Sequence, residues 1–154
     1  MTTPDRLALI DTLLTRPFPE DPSREGYHTS GPGHHLHALQ ASPDFWADRS
    51  EEMLAAAESE IEAEHAALVA ELTARWGGPE QVALDPVAVS DVPTPEPVAQ
   101  LAQLSGEMLV WRPDLADRWV GLAVGQGDPE LPIVLFAAVG VDDLPVAAPV
   151  PAAA

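Results

Sequence analysis

The sequence predicts an α+β fold: a long acidic amphipathic helix packed on a small, mostly antiparallel sheet that ends in a three-stranded meander. Three observations carry this expectation. Residues 42–76 contain a single proline, Pro43, and repeat apolar side chains at helical spacing. Beyond Gly77-Gly78-Pro79 the period changes, and residues 107–139 hold three segments rich in β-branched and aromatic side chains separated by turn residues. With 46% hydrophobic and 21% charged residues, the 154-residue chain has enough apolar material to bury one domain core.

From the N-terminus, Asp5–Thr15 reads as a short helix stopped by Arg16-Pro17. Pro17, Pro19, Pro22, Gly26, Gly31, Pro32 and Gly33 then punctuate residues 16–34 as a loop, so residues 1–41 are expected to be a short helix followed by a Pro/Gly/His-rich loop. Residues 42–140 form the expected α+β domain. Its helix carries the apolar stripe Leu54, Ala57, Ile61, His65, Leu68, Leu72 and Trp76, with Glu58, Glu60, Glu62, Glu64 and Glu71 mostly outside it. Unbroken from Ser42 to Trp76 it would run about 50 Å at about 1.5 Å per residue. A body of this size is only about 35–40 Å across. A break near Asp48-Arg49-Ser50, with a fresh start capped by Asp48 or Ser50, resolves the mismatch.

Gln81–Leu84 and Val87–Val89 read as one short strand interrupted by Asp85-Pro86, and Pro97–Leu104 as a short helix closed by Ser105-Gly106. The meander strands are Glu107–Arg112, Arg118–Gly125 and Leu131–Val139. Residues 141–154, rich in Pro and Ala, read as a flexible tail. In the last two meander strands neither face is polar, whereas an antiparallel sheet with one wet side alternates. The long helix can cover one face. The N-terminal helix with helix 97–104, or a partner or second copy of the chain, must cover the other.

Charge narrows the function classes. Twenty-five acids against seven arginines give a net charge of −18. Without a basic stripe, phosphate backbones and anionic membranes are poor ligands, and a basic protein is the better-matched partner. Residues 42–76 are the most acidic stretch, with nine acids against Arg49 and Arg75. There is no cysteine, and no apolar run is long enough to cross a bilayer. The first residues resemble no signal peptide, so the expected compartment is the cytoplasm. The absence of lysine and asparagine with abundant Ala and Pro suggests a GC-rich bacterial genome.

Candidate chemistry is sparse. His28, His34, His35 and His37 cluster within ten residues, and imidazole is the commonest metal ligand, so a small metal-dependent enzyme or metal-binding protein is one alternative. Glu62 and His65 make a single Glu-x-x-His, a spacing that di-metal helical bundles use in pairs. No serine lies in a nucleophile elbow, and Gly125-Gln126-Gly127 lacks the strand-to-helix setting of a phosphate loop. The leading expectation is a non-catalytic, cofactor-free protein-binding module of the immunity, adaptor or chaperone-like kind, an analogy of class alone. Glu58 and Glu62 would steer the partner, and an apolar sheet face around Trp111, Trp119 and Phe136 would anchor it. A homodimer or other homo-oligomer using the same apolar face is the further alternative.

Overall fold

The computed structural model describes residues 2–45, 47, 50–89, 94–113, 117–141 and 147–149. It is an α+β protein. Helix α1 spans Thr3–Thr15, and α2 spans Glu51–Trp76. Eight strands form one sheet: β1 (Ser23–Glu25), β2 (His28–Gly31), β3 (His34–Ala41), β4 (Glu80–Ala83), β5 (Glu107–Trp111), β6 (Trp119–Gly125), β7 (Val134–Gly140) and β8 (Ala147–Pro149). Two short helices, α3 (Asp85–Ala88) and α4 (Val98–Ala102), lie between β4 and β5. The strand order is β1-β2-β3-β7-β6-β5-β4-β8, and among the described residues every pairing is antiparallel. The meander β5–β6–β7 occupies its centre.

Local chemistry sets the helix ends. Thr2 caps α1 in a reciprocal box with Asp5: the Thr2 hydroxyl accepts from the Asp5 N–H, and the Asp5 carboxylate accepts from the Thr2 N–H. Those hydrogen bonds hold the Asp5 carboxyl below its usual range. Ser50 caps α2, its hydroxyl accepting from the Met53 N–H at 3.3 Å, so a helix starts where the overhang argument requires a start. Gly77, at φ +86°, ends it in a conformation that side-chain-bearing residues seldom adopt. The alternative cap, Asp48, lies outside the described residues.

One predicted loop and one predicted strand are corrected. Residues 16–34 contain β1 and β2, and His34–Ala41 continues as β3. Gly26 (φ +59°) and Gly33 (φ +79°) are turn residues between consecutive strands, so the glycines mark hairpins rather than irregular chain. Through the β3–β7 pairing the first 41 residues belong to the same sheet as the meander. The second half of the predicted 81–89 strand is instead helical, because Asp85-Pro86 opens α3.

The sheet has two cores. On one face α1 and α2 pack Ile10, Leu13, Ile61, Leu68 and Leu72 against Trp111, Val120, Leu122, Leu135 and Val139. On the other, Val98 and Leu101 of α4 pack with Val82, Met108, Trp119, Val134 and Phe136. Both faces of the two-sided apolar hairpin are therefore covered within the chain. The N-terminal helix shares the face of α2 rather than covering the opposite one, so α4 and the α3 region make the second layer. Glycines let that layer approach: Gln126 N–H donates to the Leu104 carbonyl at 3.0 Å across Gly125, where a Cβ would lie 2.9 Å from that oxygen. Among the described residues no helix is long and apolar enough to cross a membrane.

Candidate partner-binding site

The acidic face of α2 is built by helix periodicity. Ala57, Ile61, Leu68 and Leu72 are buried, which leaves Glu58 and Glu62 exposed beside them. Of the seven glutamates in α2, Glu64 alone pairs with an arginine among the described residues: Arg6 reaches it at 3.0 Å, largely out of solvent. Arg75 pairs with Asp11 of α1 at 3.0 Å. Among the described residues Glu51, Glu52, Glu58, Glu60, Glu62 and Glu71 have no arginine partner.

Beside this face a cavity of about 210 Å³ opens between α2 and the β5–β6 part of the sheet. Leu109, Leu122 and Val124 contribute apolar lining, and Glu62, His65 and Glu107 contribute titratable groups. Burial pushes the His65 imidazole below its ordinary pKa, while the Glu107 and Glu62 carboxylates oppose that shift. Glu107 is further tied to β4, because the Gln81 amide donates to its carboxylate. The arrangement is an apolar slot flanked by two carboxylates, matched to the aliphatic stem and cationic head of a lysine or arginine side chain. His65 and Glu107 were missed as partners. They lie forty-two residues apart in sequence, and only the α2-on-β5 packing brings them together.

The aromatic anchor is corrected. Trp111, Trp119 and Phe136 are 1%, 4% and 1% exposed and belong to opposite faces of the sheet, Trp111 under α2 and the other two toward α4. They are core residues, since alternation along β5, β6 and β7 turns each into one of the covered layers.

The histidines are spread over β2 and β3. His35 uses both ring nitrogens: Nε2–H donates to the Arg16 carbonyl at 3.1 Å, and Nδ1 accepts from the Ser30 hydroxyl at 2.7 Å. Burial lowers its pKa, as suits a neutral ring. Its ring also packs on Phe18, over which the Arg118 guanidinium stacks at 3.8 Å. Arg118 in turn donates to the carbonyls of Leu13 and Arg16, so this group fastens the end of α1 to the sheet. His34 is buried against Gly31. His28 and His37 face each other across strands with ring centroids 4.5 Å apart, and His28 Nδ1 accepts from the Ala38 N–H. Burial, reinforced by His28 and Arg16, lowers the His37 pKa to about 4. Among the described residues no group of three or more histidines and carboxylates is placed to hold a metal ion.

The chain matches no family model, no curated protein and no solved structure.

Proposed function

We propose that the protein is a non-catalytic, acidic protein-binding module of the immunity, adaptor or chaperone-like kind that engages a basic partner protein. The observation that supports this reading is the α2 surface, where six glutamates lack an arginine partner among the described residues and one of them, Glu62, lines an apolar slot together with Glu107. Carboxylates left unneutralised within a fold steer a cationic partner and raise its association rate. The slot then supplies what steering lacks, an apolar surface that desolvates one basic side chain. In this reading the sheet contributes through Leu109, Leu122 and Val124, and the buried tryptophans serve the fold.

The test is affinity capture of the tagged full chain from native extract, at moderate and then high salt, with the Glu58→Gln/Glu62→Gln variant alongside. The reading expects a stoichiometric basic protein that is retained by the wild type, released by salt and reduced at least tenfold on the variant. Equal retention by both chains would exclude the α2 face as the binding surface.

A further inference from the structure

On the face of the sheet opposite α2, the edge hairpin β1–β2 curls over β7 and meets α4. Two contacts fix that approach. The Thr29 hydroxyl donates to Gln100 Oε1 at 3.1 Å, and the Tyr27 ring stands edge-on to Phe136 with centroids 6.1 Å apart. The β6–β7 connection closes the third side. There the Gln126 amide donates to the Leu131 carbonyl at 2.9 Å, and a Cβ added to Gly127 would lie 2.9 Å from Leu131 Cδ1. Between the hairpin, α4 and this connection lies a cavity of about 180 Å³.

Its wall is mostly apolar. Phe136 is buried there and Leu104 and Leu131 are half-buried, whereas Arg24 and Tyr27 stand exposed. An apolar cavity of about 150 Å³ holds one benzene ring, so this one has room for a single ring or a short aliphatic chain. A pocket of this kind takes its specificity from the few polar groups set among the apolar ones.

Those polar groups favour an anion. In a chain of 25 acids and seven arginines, no carboxylate lines this cavity. The slot beside α2 is lined by Glu62 and Glu107, and the open groove beside Trp76 by Asp11 and Asp117. Arg6, Arg75 and Arg112 are each paired with an acid, but among the described residues Arg24 has no carboxylate partner. Its Nε–H donates to the Gly26 carbonyl at 3.4 Å, and its two terminal nitrogens have no partner among the described residues. A guanidinium in that state can grip both oxygens of a carboxylate at once. Gln100 adds to the same polarity: its oxygen already accepts from Thr29, which leaves its amide N–H groups as donors.

We infer that this cavity binds a small organic monocarboxylate with an apolar body of about six carbons, the body against Phe136, Leu104 and Tyr27 and the carboxylate on Arg24. An inorganic anion would leave the apolar wall wet, a neutral hydrocarbon would leave Arg24 unmatched, and an amine would meet a like charge. The cavity lies across the sheet from the α2 face, so it stands or falls separately from the proposed function.

The test is titration of the isotope-labelled full-length chain, followed by its backbone amide shifts, with phenylacetate and hexanoate and with their uncharged counterparts phenylacetamide and hexanamide. A net charge of −18 repels anions at a distance. Salt is therefore held at about 150 mM, where the screening length is about 8 Å and a contact pair persists. The inference expects saturable one-to-one binding of at least one acid, with shifts centred on Tyr27, Gln100 and Gln126, at least tenfold tighter than its amide. Arg24→Gln, an exposed substitution outside the core, should weaken the acid at least tenfold and leave the amide unchanged, while Arg112→Gln alters neither. Equal affinity for acid and amide, wild-type acid binding by Arg24→Gln, shifts centred elsewhere, or no saturation by either acid overturns the inference.

Discussion

His37 shows how one side chain couples burial to pH. Its imidazole is neutral in the fold down to about pH 4, whereas in the unfolded chain it takes up a proton near pH 6.5. The unfolded state binds more protons in that window, so the His37 contribution is fully present above about pH 6.5 and is lost as pH falls toward 4. His35 and His65 shift in the same direction through their own burial. Urea melts between pH 7 and pH 4 should show wild-type stability falling more steeply than that of His37→Gln. Parallel curves would mean that His37 is as well solvated folded as unfolded. Trp119 gives the second prediction at this scale. Its indole fills the space above Gly140, where an added Cβ would come within 2.5 Å of the ring. Gly140→Ala should cost about 1–3 kcal/mol through overpacking, and Trp119→Ala about 3–5 kcal/mol through the cavity it leaves, both read from denaturant midpoints. The faces of β6 and β7 were legible from alternation alone. Which of those faces stays wet was not, because alternation assigns a side chain to a face and says nothing of what lies over it.

Among elements, a buried guanidinium links α1 to both α2 and β3. Arg6 donates Nε–H to the Leu39 carbonyl at 3.2 Å and pairs with Glu64, which also accepts from the Thr3 hydroxyl at 2.9 Å. Arg6→Ala strands the Glu64 carboxylate where water is scarce and should cost about 3–5 kcal/mol. Adding Glu64→Gln should recover part of that loss in the same denaturant assay; full additivity would show that the two groups act independently. The long helix was readable because twenty-six residues of period 3.6 outweigh any local ambiguity, and length against body size argued for its start at Ser50; that residues 42–45 are not helical was hidden, because Ser42-Pro43 reads equally well as a helix opening. The strands β1 and β2 were hidden, since three or four residues between glycines hold too few alternations to register. The same brevity concealed α3, where a proline that ends a strand equally well opens a helical turn.

For the molecule as a whole, two apolar layers on opposite faces of one sheet account for hairpin strands with no polar side. The sheet face therefore needs no partner for its burial, and the proposed engagement of a partner rests on charge and on the slot beside α2. The acidity of that helix was plain in the sequence, including Glu58 and Glu62. The slot was not, because Leu109, Leu122 and Glu107 reach it from strands that only tertiary packing sets against His65. The most direct measurement is titration of whatever basic protein the full chain captures against the wild type and the Glu58→Gln/Glu62→Gln variant, over rising salt. Steering by the α2 face predicts an association rate that falls steeply with salt for the wild type, and a variant at least tenfold slower with a shallower salt dependence. Identical rates and identical salt slopes for the two chains would contradict it.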